Sequence, residues 1–247
     1  MNHRLKCSEV WGGVRDEDVD ACSNSLCASL VSLSCDSGKG GDIYYFSVCD
    51  SDMLTRVAVA DVVGHGAAAS SVSEWLFRAM QEKMNSLEGQ AVLEDLNRLA
   101  TERGFSALTT AAVAAFYKED SNFYFSYAGH HELLLWRRGE QQWKRMSLSA
   151  ERNLANLPLG VHEEAVFDQE QTVLRAGDRL CLYTDGVIEA PDENGDQFGL
   201  ERLIDLLNRS ASQELPEIKQ AILSGLRKHT GGSLGHDDVT LLILEIR

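Results

Sequence analysis

Five aspartates stand where apolar β-type runs begin or end, and that placement constrains the fold of these 247 residues more than any other feature. The stretch VAVADVVGHGAAAS, residues 57–70, carries an apolar run into Asp61 and contains no Lys or Arg to offset the charge. IYYFSVCD (43–50) and LTRVAVAD (54–61) read as two strands around a turn near Ser51 and Asp52. Positions 42 and 61 are symmetric about that turn, so in a two-residue hairpin Asp42 and Asp61 face each other at its open end. A one-residue slip would send them to opposite faces. Asp185 ends RLCLYTD, while Asp237 and Asp238 immediately precede VTLLILEIR. In antiparallel neighbours the carboxyl end of one strand lies beside the amino end of the next, so all five carboxylates can gather at one edge. Crowded in this way they could not all stay ionised without a cation. Oxygen-only ligation favours Mg2+ or Mn2+, and no Cys/His pattern argues for structural zinc.

Helical periodicity begins at Gly66, with Val72, Trp75, Leu76, Ala79 and Met80 on one face. A second helix carries Val92, Leu93, Leu96, Leu99 and Ala100 and stops at Gly104. Further β-type runs are read at 108–117, 122–128, 132–138, 164–174 and 179–185. Helices at about 199–208 and 214–229 precede a last strand. Hairpin-like strands followed by helix pairs imply an α+β fold of mainly antiparallel sheets. Runs apolar on both faces, such as VAVA, imply sheets covered on both sides, by a second sheet within and helices without.

A formal charge of -15 argues against nucleic acid as a partner, since phosphate backbones call for basic stripes. No 18-residue apolar run is present. The opening MNHRLKCSEVWGG lacks the apolar core of a secretory signal, so the expectation is a cytoplasmic protein that does not engage a membrane. The six cysteines (Cys7, Cys22, Cys27, Cys35, Cys49 and Cys181) lack C-x2-C pairs and read as buried or idle reduced thiols rather than disulfides or metal ligands.

GGDIYY, ADVVGHG, YAGHHELLLW, LPLGV, YTDGVIEA, FGLERL and HDDVTLLIL, in that order, resemble the metal-dependent PPM-type serine/threonine phosphatases in their bacterial SpoIIE/RsbU branch. The resemblance covers roughly residues 40–247; residues 1–39 read as a leading arm and a first strand, LCASLVSLS, of the same domain. It implies a four-layer αββα sandwich with a centre of two Mn2+ or Mg2+ ions that hydrolyses phosphoserine or phosphothreonine. Carried onto this chain, it has Asp61 bridging both ions, the Val62 carbonyl binding the second, and Asp42 assisting through water. Asp185 and Asp237 hold the first ion. Adjacent aspartates point opposite ways from an extended chain, so Asp237 is placed in the site with Asp238 as the fallback. A metal-bridging hydroxide then attacks phosphorus in line, with no covalent phospho-enzyme.

His65 is a candidate general acid, but the eukaryotic members of the resembled family place a histidine where this chain has Val63, so a loop-structuring role is favoured and water serves as the acid. His130 and His131 read as structural or surface residues, and His236 either tunes the neighbouring aspartates or faces solvent. DENGDQFG, residues 192–199, imitates a calcium loop only in part and reads as an exposed loop. The Trp75–Leu76–Met80 stripe reads as core first, with a switching or dimer-contact role second. The implied substrate is a phosphorylated regulatory protein such as an anti-sigma factor antagonist, and a homodimer is left open. A catalytically silent partner-binding relative, and a phosphodiesterase or small-molecule phosphatase, are the alternatives.

Overall fold

The computed structural model describes residues 3–4, 9–35, 38–49, 52–64, 66–84, 88–149 and 154–247. Its strands are β1 (His3–Arg4), β2 (Val10–Arg15), β3 (Glu17–Cys22), β4 (Leu26–Leu33), β5 (Lys39–Cys49), β6 (Leu54–Val62), β7 (Thr109–Tyr117), β8 (Asn122–Ala128), β9 (Leu134–Trp136), β10 (Trp143–Arg145), β11 (Glu170–Val173), β12 (Arg179–Tyr183) and β13 (Val239–Ile246). Helices α1 (Gly66–Lys83) and α2 (Gly89–Arg103) follow β6; α3 (Asp185–Ile188), α4 (Leu200–Arg209) and α5 (Leu215–His229) follow β12.

One sheet of seven strands runs β1-β3-β4-β13-β12-β9-β10, and one of six runs β11-β8-β7-β6-β5-β2. All neighbours are antiparallel except β1 and β3. Strand alternation then builds three apolar layers. Tyr44, Phe46 and Val59 of one sheet meet Leu30, Leu182, Leu242 and Leu244 of the other. The opposite face of the same strand, Ile43 and Tyr45, packs with Val72, Leu76, Met80, Leu93 and Leu96 of α1 and α2. Beyond the other sheet, Val31, Tyr183 and Ile243 pack with Leu203, Leu207, Ile218, Ile222 and Leu226 of α4 and α5. The sheets are therefore sandwiched as the doubly apolar runs require. Among the described residues no helix is long and apolar enough to cross a membrane.

Four sequence expectations need correction. LCASLVSLS is not the first strand, and the leading arm before it is itself paired: β2 lies against β5 at the edge of one sheet, while β3 lies against β4 in the other. Within 164–174 the only strand is Glu170–Val173, paired with β8; Val166 makes a single bridge to Ala155, and Asn156 and Asp168 tie that segment by two side-chain hydrogen bonds of 2.8 and 3.1 Å. The run at 179–185 stops at Tyr183, and Asp185 opens a short helix instead of ending a strand. Cys22 and Cys27 are joined by a disulfide, not idle thiols, because the β3–β4 register sets them directly opposite each other. Cys35 and Cys181 lie outside it; Cys7 falls outside the described residues.

Candidate metal centre

Asp42 and Asp61 are direct partners in the β5–β6 register, as the symmetry about the turn requires. The turn position Ser51 lies outside the described residues, as does His65. By strand parity both carboxylates share the inter-sheet face with Tyr44 and Val59. The second sheet meets them there. Thr184, between β12 and α3, donates its Oγ1–H to Asp42 Oδ2 at 2.8 Å and accepts the Thr240 N–H at 3.0 Å. Asp42 is 3% exposed, yet its Oδ1 has no hydrogen-bond partner among the described residues.

Asp185, the residue after Thr184, opens α3. Only glycine fits next: a Cβ on Gly186 would lie 1.8 Å from the Asp238 carbonyl oxygen. The imidazole of His236 donates from Nε2 to the Gly186 carbonyl at 2.8 Å, fastening the start of α3 to the approach to β13. Asp237 Oδ1 accepts the Asp238 N–H at 2.8 Å.

Asp238 is spent differently. Its Oδ1 accepts the Cys35 N–H at 2.8 Å and its Oδ2 accepts the Gly41 N–H, so this buried carboxylate braces the chain leading into β5. Gly40 makes room for it, since a Cβ there would stand 2.4 Å from Oδ2. A Cβ on Gly41 would meet the carbonyl oxygens of Val62 and Gly64 at 2.8 and 3.1 Å, which brings the Val62 carbonyl to the same end of the sandwich. One donor atom each from Cys35, Asp237 and Asp238 lie within 4.8 Å of one another.

The electrostatics are those of carboxylates held together without a counter-charge. Burial, and then the charges of Asp42, Asp185, Asp237 and Asp238, push Asp61 up to about 9. Burial pushes Asp42 to about 8; the hydroxyls of Thr240 and Thr184 oppose the shift, and Asp238 and Asp185 add to it. Asp237 is raised by burial first and by Asp185 and Asp238, against the Asp238 N–H and His236. A buried orphan carboxylate oxygen, a convergent backbone carbonyl and a cluster of donors dominated by carboxylates, with Cys35 at its border, fit a hard divalent cation.

The remaining candidates have other employment. His130 donates from Nδ1 to the His131 carbonyl at 3.0 Å, and burial lowers its imidazole to about 4. His131 stacks on Tyr183. Asp192 Oδ1 accepts the N–H groups of Asn194 and Asp196, so the residue 192–199 loop is a side-chain-braced turn. Leu76 and Met80 are fully buried, and Trp75 lies partly buried beneath Arg103. Sequence reasoning missed Thr184 and Thr240. Their signal was a hydroxyl one residue before Asp185, just past the apolar run of β12, and another two after Asp238, inside the apolar β13.

The profile of the family Stage II sporulation protein E (SpoIIE) matches residues 51–247. Phosphoserine phosphatase RsbU of Bacillus subtilis (strain 168) is 28% identical over 208 residues, 83% of this chain and 58% of that protein. Stage II sporulation protein E of the same organism is 23% identical over 193 residues, 76% of this chain and 22% of that protein. The chain thus spans a little over half of the first relative and under a quarter of the second. The crystal structure of the RsbU and RsbW domains of Rv1364c from Mycobacterium tuberculosis superposes with a TM-score of 0.77 at 25% identity, covering 95% of this chain and 61% of that one. RsbX, solved in complex with magnesium, shares the fold with a TM-score of 0.68 at 15% identity, covering 94% of this chain and all of that one. With a profile match running from the β5–β6 turn to the C-terminal residue, over a sandwich that gathers its aspartates at one rim, this chain belongs to the SpoIIE family.

Proposed function

We propose that this chain is a metal-dependent phosphatase acting on phosphoserine or phosphothreonine in a regulatory phosphoprotein. The carrying observation is the carboxylate cluster, above all the buried Asp42 Oδ1, which has no hydrogen-bond partner among the described residues, beside an Asp61 raised to about 9. Asp42, Asp61, Asp185, Asp237 and the Val62 carbonyl would hold two divalent ions, Mn2+ or Mg2+. Asp238, with both oxygens on backbone N–H groups, is the brace of the site. When bound, such ions lower the pKa of water and neutralise charge on phosphoryl oxygens.

The chain's own residues supply the positioning. Thr184 and Thr240 fix the Asp42 carboxylate across the gap between the sheets. His236 and Gly186 hold Asp185 against the start of β13. Asp61, paired in register with Asp42, presents its carboxylate on the same face. The likeness to phosphoserine phosphatase RsbU supports a phosphoserine substrate, and the branch supports an anti-sigma factor antagonist as its bearer, in the cytoplasm.

Phosphate release from p-nitrophenyl phosphate and from a phosphoserine peptide tests this reading. Turnover is expected with Mn2+, to vanish in EDTA, and to fall by about a thousandfold or more in Asp61→Ala, the scale of losing a principal electrostatic group. Undiminished turnover in excess EDTA would overturn it.

A further inference from the structure

Six large apolar side chains stand exposed among the described residues: Val10, Val63, Phe105, Leu154, Val161 and Val173. Three of them hang from one backbone knot at the start of β7. The Leu108 carbonyl accepts the Val63 N–H at 2.9 Å, and the Leu108 N–H donates to the Phe105 carbonyl at 3.3 Å. Thr109 exchanges both its backbone hydrogen bonds with Leu159, at 3.2 and 2.8 Å, and the Val161 N–H closes the adjoining turn onto the Pro158 carbonyl at 3.3 Å. Val63 is 60% exposed, Phe105 85% and Val161 47%. Single exposed apolar residues are ordinary; three at one rim are not.

The knot also adjoins the carboxylates. In the β6–β7 register Thr110 stands opposite Asp61, and Thr109 opposite Val62. Its supports are fixed. Gly104, at φ 85°, closes α2 and starts the single 3-10 turn that presents Phe105. Buried Asn97 of α2 accepts the Gly160 N–H at 2.9 Å and donates to the His162 carbonyl at 2.9 Å, so the loop bearing Val161 is tied down. Apolar groups already held in place lose little freedom when covered.

We propose that Val63, Phe105 and Val161 form an apolar shelf that selects phosphoprotein substrates carrying an apolar side chain next to the phosphorylated residue. The proposal rests on the phosphatase reading and gives it a substrate preference. A phosphorylated chain whose phosphate reaches Asp61 comes within two residues of Val63, just past β6, whose N–H is bonded to the same knot that carries Phe105 and Val161, so its flanking side chains are the occupant this rim faces.

The test compares wild type with the double variant Phe105→Ser/Val161→Ser, in Mn2+, on three compounds. These are p-nitrophenyl phosphate, a phosphoserine peptide flanked by Leu, and the same peptide flanked by Ser. Fluorescein-labelled forms of both peptides report binding by anisotropy, and light scattering reports mass. For the Leu-flanked peptide, kcat/KM and affinity are each expected to fall about tenfold in the variant, the loss of a modest anchor, with the other two compounds unaffected. A wild type that turns over both peptides equally, a variant that loses all three activities, or a variant that changes only its oligomeric mass would overturn the shelf. A wild type inert on p-nitrophenyl phosphate that still binds the Leu-flanked peptide more tightly than the variant would overturn the phosphatase reading and leave the shelf standing.

Discussion

Thr184 shows how one hydroxyl can serve two sheets. It donates to Asp42 from one layer and accepts the Thr240 N–H from the other, with nothing of its side chain exposed. Valine has the same shape and neither capacity, so Thr184→Val leaves a buried acceptor and a buried donor unmet. The expected cost is about 3 kcal/mol, read by urea denaturation in EDTA, with Thr184→Ser recovering most of it. Residues of this kind were the least legible from sequence. Asp42 and Asp61 could be paired because they are symmetric about a turn, whereas strand geometry says only that Asp237 and Asp238 cannot both face the site, and the choice of Asp237 rested on the resemblance. That Asp238 would brace Cys35 and Gly41 depends on where a distant segment comes to rest, which spacing does not encode.

Among the elements, those with an unbroken apolar period were readable: α1 and α2, β6 and the final strand stand within a residue or two of expectation, while β5 pairs as expected but begins at Lys39, four residues before the apolar run. The strands missed were those that disguise themselves. EDVDAC in β3 looks like a polar loop because its carboxylates meet a cation supplied from far along the chain. Lys219 of α5, 2% exposed, places Nζ 2.6 Å from Asp18, 3.1 Å from Asp20 and 3.1 Å from the Leu30 carbonyl. Ser29 completes the cluster by donating to Asp20 at 2.6 Å. Because Asp18 and Asp20 keep some access to water, Lys219→Met is expected to cost about 2 kcal/mol, at or below the lower end for breaking a buried pair. Urea denaturation checks this; an unchanged midpoint would mean that the cluster contributes no net stability. The Cys22–Cys27 link was likewise invisible, since six cysteines do not declare their pairing until the β3–β4 register is known.

For the molecule as a whole, the layered architecture was legible because doubly apolar strands demand cover on both faces, and the acidic rim followed from strand ends. Its charge carries a pH signature. Asp61 at about 9 and Asp42 at about 8 keep protons in the fold that the unfolded chain releases near 3.8. Between those values the folded state binds more protons, so the stability of the metal-free protein falls as pH rises. In EDTA the urea midpoint is expected to decline from about pH 4 toward pH 9, less steeply in Asp61→Asn, and Mn2+ should flatten the slope. Equal slopes for wild type and Asp61→Asn would show that the rim is not the source.

The rim draws Asp42 and Asp61 from one sheet and Asp185 and Asp237 from segments flanking strands of the other. Cations seated there would act as a rivet through both layers, and their uptake would gauge interlayer alignment. Trimming Phe46 or Leu242, deep in the sandwich, should therefore weaken manganese uptake in calorimetry before any strand content is lost.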